Sequence, residues 1–246
     1  MKYFSRTDKS LLGRWWWTID RGMLALLVII MTFGVVLVAT ASPPVAMRIG
    51  LGQYHFVIRH LMVLLPSFVM MIGISFLDVK QIWRLSAIIL VFCFFALVYV
   101  LLFGMEIKGA QRWIHLPFLS LQPSEFAKPA FLVVAAWFIA KKKDKPEFPG
   151  TKIAAGIYGV LVSLLILQPD MGMTFVVTAC FVVIIFLAGL PLRLIALLIV
   201  VAMGAAILAY FSFAHVQSRV DRFLDPQDGD TFQIEKSLEA FRAGGV

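Results

Sequence analysis

Seven nearly uncharged apolar stretches recur along the chain: Gly22 to Ala41, Leu61 to Leu77, Leu85 to Met105, Pro123 to Ala140, Ile153 to Leu167, Met171 to Leu190 and Leu194 to Ala214. A helix needs about 20 apolar residues to cross the hydrocarbon core of a bilayer, so each stretch is predicted to be a spanning helix, the fifth being the shortest. The expected fold is all-α, a polytopic integral membrane bundle. It divides into a leader over residues 1–21, a bundle of seven transmembrane helices over 22–214, and the start of a large extracytoplasmic loop over 215–246. The leader is basic and carries Trp15, Trp16 and Trp17, and Gly22 to Ala41 is long enough to stay inserted. These residues therefore read as an interfacial anchor and not as a cleaved signal peptide.

Composition strengthens the membrane reading. Hydrophobic residues make up 61% of the chain and charged ones 15%, with a mean hydropathy of +0.92. Soluble domains carry about 25% charged residues. The Lys and Arg residues fix an orientation. Five lie in the leader, two after the second span, five between Lys141 and Lys152, and one at Arg193. The opposite short loops hold only Arg48, Arg59, Lys108 and Arg112. Thirteen against four places the N-terminus in the cytoplasm by the positive-inside rule. Topology and anionic lipid account for the net charge of +8 without nucleic acid as a partner.

With that orientation, Ser42 to His60, Glu106 to Gln122, the turn at Gln168 and everything after His215 lie outside. Cys93 and Cys180 fall within spans, without CxxC spacing or histidine partners, and read as packing residues. His55, His60, His115 and His215 are scattered, no HExxH or glycine-rich phosphate loop is present, and no metal site is indicated. A cofactor is undefined by the sequence; a divalent cation is compatible with it.

The stretch LQPSEFAKPAFLVVAAWFIAKKKDK, Leu121 to Lys145, places charge at the head of a span. Pro123 suits the first helical position, where its missing N–H costs nothing. Glu125 and Lys128 are three residues apart on one face, so they can pair or jointly face a polar cavity closed to lipid. Pro129 cannot donate to the Glu125 carbonyl and weakens the helix beside them. The preceding loop adds Arg112, a candidate phosphate ligand, and Trp113. A second polar break, LILQPDMGMTF, brings Gln168, Pro169 and Asp170 to the same membrane level, with Asp170 also placed to cap the helix that follows.

The segments GAQRWI, LQPSEFAK and QPDMG, in this order across the spans, resemble the SEDS family of FtsW and RodA. ATASPPVA and SRVDRFLDPQDGDTFQIEKSLEAFRAGG extend the likeness over essentially the whole chain, and the latter is closer to FtsW. The resemblance implies a peptidoglycan glycosyltransferase of the bacterial inner membrane. Such an enzyme polymerises lipid II, the undecaprenyl-pyrophosphate-linked precursor, into glycan strands for septal wall synthesis during cell division. It implies a class B penicillin-binding protein transpeptidase and other divisome membrane proteins as partners. On matching positions, Arg112, Trp113, Gln122, Ser124, Glu125, Lys128, Gln168 and Asp170 are the implied substrate-binding residues.

Two departures stand out. The family's QPDxGT reads Gln168-Pro169-Asp170-Met171-Gly172-Met173 here, with Thr174 one place late. Family members also continue through a further segment, carrying the proposed catalytic Asp, and three further spans, ten in all. The chain to Val246 is therefore expected to be a fragment without glycosyltransferase activity on its own. Intramembrane charge beside proline-broken helices also suits a lipid II flippase, and a non-catalytic divisome scaffold is the third alternative.

Overall fold

The computed structural model describes residues 10–104, 111–115, 120–189, 192–212, 214, 216–217, 220–221 and 232–243. His215, Lys108 and most of the segment 218–231 lie outside them. Nine helices and one small hairpin are seen among the described residues: α1 (Leu11–Thr18), α2 (Arg21–Arg48), α3 (His55–Ser75), α4 (Val79–Phe103), β1 (Ile114–His115), β2 (Ser120–Leu121), α5 (Pro123–Asp144), α6 (Gly150–Leu167), α7 (Met171–Leu187), α8 (Leu192–Ser212) and α9 (Phe232–Ala243). The protein is all-α and polytopic, because α2 to α6 are each long and apolar enough to cross a membrane. Two more apolar helices follow, α7 with 17 residues and α8 with 21.

Helix ends differ from the apolar stretches where backbone chemistry outweighs hydropathy. α2 runs on to Arg48 through Pro43 and Pro44, although the apolar stretch closes at Ala41. The prolines withhold two donors, from the carbonyls of Ala39 and Thr40, yet Val45, Ala46 and Met47 continue the apolar sequence and the helix with it. α3 starts at His55, so Arg59 sits on its second turn and not in a loop. In lipid an unpaired backbone group costs several kcal/mol, whereas an arginine near a helix end can extend its head to water.

The chain forms two compact units, 1–82 and 83–246. In the first, Ser10 caps α1 by accepting from the Gly13 N–H at 3.0 Å, and Asp20 caps α2 by accepting from Met23 at 3.0 Å. The leader thus contains a short helix that its polar composition hid. Trp15 Nε1 donates to Ser75 Oγ at 2.7 Å, and its ring stacks on Phe76 with centroids 4.9 Å apart, which fastens α1 to the end of α3. The Arg21 guanidinium lies 5.6 and 5.5 Å from the Trp16 and Trp17 rings, within cation–π range.

The second unit has its core between α4, α5, α6 and α7, where Leu97, Phe131, Leu161 and Leu165 are fully buried. Phe131, Tyr158 and Phe181 stack at its centre, the closest pair being Tyr158 and Phe181 at 4.6 Å. α5 and α6 form a tight hairpin. A methyl group on Gly150 would sit 1.9 Å from the Phe138 carbonyl oxygen, so only glycine admits this approach. Lys141 Nζ lies 4.6 Å from the Trp137 ring and 4.7 Å from Phe148, closing that end of the hairpin with an ammonium between two aromatic rings.

Candidate functional site

The polar residues singled out by the sequence meet where β1, β2 and the ends of α4, α5, α6 and α7 come together. Ile114 pairs with Leu121 and His115 with Ser120, so Arg112 and Gln122 stand just outside the two feet of one antiparallel hairpin. Pro123 opens α5 at its first turn, and the helix passes through Pro129 as far as Asp144.

Asp170 is the point on which the feet converge. It caps α7, its Oδ1 accepting from the Met173 N–H at 3.4 Å, while its own N–H donates to the Leu165 carbonyl at 2.9 Å. The same Oδ1 lies 3.4 Å from Arg112 Nη1, and Arg112 Nη2 donates to the Pro169 carbonyl. Oδ2 accepts from Gln122 Nε2 at 3.3 Å, and that amide also donates to Ser124 Oγ at 3.0 Å. Next to it, Gln168 Nε2 donates to the Leu97 carbonyl within α4 at 2.7 Å. Gln168, Ser124 and Asp170 are 1, 2 and 4% exposed. Three consecutive residues, Gln168, Pro169 and Asp170, therefore bind α4 and both sides of the hairpin.

Burial gives these contacts their weight. Removing one partner of a buried charge pair costs about 3–5 kcal/mol because it strands the other, and a hydrogen bond to a charged group contributes about 1.5–3 kcal/mol. Arg112 is not spent on Asp170 alone: its Nε is buried and has no protein partner. A polar line continues from Asp170 down α7. Thr174 Oγ1 donates to the Asp170 carbonyl at 2.8 Å, Thr178 Oγ1 to the Thr174 carbonyl at 2.7 Å, and Tyr158 Oη lies 2.8 Å from Thr178 Oγ1. Since the single Thr178 proton goes to the Thr174 carbonyl, Tyr158 is the donor in that last pair. The hydroxyl that comes one place late in the sequence motif thus binds the backbone of the aspartate itself.

Glu125 and Lys128 form a separate group. Lys128 Nζ lies 3.1 Å from Glu125 Oε2, so the two pair along α5, but their side chains are 26 and 53% exposed respectively for the lysine and the glutamate. The glutamate faces the open side of the helix and not the buried cluster. Trp113 is 37% exposed. Of the eight residues expected from the motifs, four join the network centred on Asp170, Gln168 ties the same turn to α4, and three stand on the open side.

The sequence did not disclose the backbone acceptors at Leu97 and Pro169, or the part of Tyr158 and Thr178. Carbonyls carry no sequence signal, but Thr174 and Thr178 recur at a spacing of four on an apolar helix. That periodicity is the signal that would have found the line. Among the described residues, no three His, Cys, Asp or Glu side chains are grouped to hold a metal ion.

The comparisons with known proteins agree with the motifs. The probable peptidoglycan glycosyltransferase FtsW of Caulobacter vibrioides is 38% identical over 244 residues, covering 99% of this chain and 63% of that protein. The corresponding Trichlorobacter lovleyi protein is 33% identical over 238 residues, covering 92 and 61%. The chain thus spans about three fifths of the length of these curated relatives. Among solved structures, a chain from a peptidoglycan synthase complex that coordinates polymerization and crosslinking aligns with a TM-score of 0.69 and 28% identity, over 91% of this chain and 65% of that one. The rod shape determining protein RodA of Thermus thermophilus aligns with a TM-score of 0.61 and 29% identity, over 78 and 60%. The family model for FtsW, RodA and SpoVE, described as cell cycle proteins, matches residues 20–246, and with the motif residues gathered as above the chain belongs to that family.

Proposed function

We propose that the protein acts as a peptidoglycan glycosyltransferase that polymerises lipid II at the outer face of the bacterial inner membrane, with its N-terminus in the cytoplasm and its place of action at the division septum. The observation that carries this reading is the polar assembly at one end of α5, α6 and α7, in a chain similar to proteins named for that activity.

The chemistry suits the residues. An acceptor hydroxyl attacks the anomeric carbon of a lipid-linked sugar, the bond from that carbon to the pyrophosphate oxygen breaks, and the hydroxyl proton passes to a carboxylate base. Cations must meet the charge that grows on the departing pyrophosphate. Lys128, the more exposed cation, and Arg112, partly exposed, supply them. Trp113 and Glu125 complete the surface presented to substrate, and Gln122, Ser124, Gln168 and Asp170 stand behind it. These residues are proposed to bind the substrate, and the carboxylate base is proposed to come from outside this set. A transpeptidase of the class B penicillin-binding type is the proposed partner, supported by the likeness to a chain of a complex that both polymerises and crosslinks. Other divisome membrane proteins are proposed to join them.

The test is polymerisation of lipid II by the purified whole protein, alone and with the transpeptidase. Glycan chains are expected, and Lys128→Ala is expected to abolish them while the protein still inserts. Translocation of lipid II across vesicles without polymer, or folded protein that leaves lipid II untouched, would overturn the proposal. Orientation is checked separately with a reporter after Lys143, expected inside, and one after Asp228, expected outside.

A further inference from the structure

We infer that Asp170 is a positioning residue: it clasps both feet of the β1–β2 hairpin and so aims Arg112 at the substrate, without touching substrate itself. The activity part of this inference rests on the function proposed above; the clasp itself does not.

Three observations carry it. The carboxylate is already committed, with Oδ1 shared between Met173 N–H and the Arg112 guanidinium and Oδ2 held by the Gln122 amide. It is 4% exposed, which leaves little surface for a ligand. Its partners are specific in sequence: Arg112 enters β1 and Gln122 leaves β2, so one side chain fixes the beginning and end of an 11-residue segment, 112–122. A two-stranded hairpin is marginal by itself, and this one has only two residues in each strand. Its placement must come from outside, and the clasp is where it comes from. The anchor is itself immobilised, because Gln168 ties the turn to Leu97 and Thr174 ties the Asp170 carbonyl into α7. The guanidinium is held by two of its nitrogens while the Arg112 side chain keeps 18% exposure, so the clasp orients the cation and leaves part of it open.

Asp170→Asn separates the two duties of the residue, since asparagine is as good a helix cap as aspartate but carries no charge for Arg112. In the whole protein in lipid nanodiscs, hydrogen exchange at Ile114, His115, Ser120 and Leu121 is expected to quicken at least tenfold in Asp170→Asn and further in Asp170→Ala, while α7 keeps its parent protection in Asp170→Asn. Gln122→Ala, which spares the cap, is expected to quicken the same amides. Polymerisation of lipid II is expected to fall at least tenfold in Asp170→Asn, and the double variant Arg112→Ala with Asp170→Asn to lose no more than Arg112→Ala alone, because one residue acts through the other. Unchanged hairpin exchange in Asp170→Asn and Gln122→Ala overturns the clasp. Losses that multiply in the double variant overturn the positioning role and make Asp170 a direct substrate ligand. Parent protein that never polymerises lipid II, with exchange responding as described, leaves the clasp standing and removes the glycosyl-transfer proposal instead.

Discussion

The Asp170 cluster and the Glu125–Lys128 pair are built from the same kinds of group, at the heads of neighbouring helices, and differ in what surrounds them. Asp170 is 4% exposed and bonded on both oxygens, whereas the glutamate of the other pair is 53% exposed and meets a single lysine one turn away. Water screens the second pair and leaves it free to change partners; the first has exchanged water for fixed donors. A charge pair in the first setting holds the fold, and one in the second is available to a ligand.

That contrast can be broken by substitution. Arg112→Ala strands a buried carboxylate and is expected to cost about 3 kcal/mol, read as a lowered unfolding midpoint in detergent. Gln168→Leu deletes a buried donor to the Leu97 carbonyl, with an expected loss of about 1–3 kcal/mol by the same measurement. Tyr158→Phe removes only the hydroxyl that donates to Thr178 and keeps the stacked ring, so about 1 kcal/mol is expected, with polymerisation unchanged. Lys128→Ala and Glu125→Ala should each shift stability by less than about 1 kcal/mol yet abolish glycan synthesis. The charge-swapped pair, Glu125→Lys with Lys128→Glu, sharpens the comparison further. If it restores synthesis to nearly the parent rate, the exposed pair is structural after all and the distinction drawn from exposure fails.

Much of the architecture is legible in the sequence because a membrane span is a long and redundant signal. The seven apolar stretches reappear as α2 to α8, and Pro123 opens α5 as its ring chemistry predicts. What escaped the sequence depends on contacts between residues far apart. α1 is only eight residues, too short to give the hydropathy signal of a span. The β1–β2 hairpin is too short for an alternating pattern and is held from outside itself. In the site, the motifs singled out residues that the structure divides into a buried and an open group, and that division follows from which way α5 faces, with α5 apolar on most sides. Asp170 was legible as a helix cap from its position alone. Its grip on Arg112 and Gln122, 58 and 48 residues earlier, was not.

The bond between Trp15 and Ser75 joins residues 60 positions apart, and this orders events during synthesis. At about 5–20 residues per second, the serine and the neighbouring Phe76 are made roughly 3–12 seconds after the tryptophan, by the same rates. Until then α1 has neither its acceptor nor its stacking surface, and Trp15 must wait at the membrane surface while α2 and α3 enter the bilayer. Docking of α1 therefore reports that the first helical hairpin has been inserted and its far end delivered back to the side from which it started. A ribosome stalled before codon 75 would leave Trp15 more open to quenchers than one stalled after the end of α3 has cleared the insertion machinery.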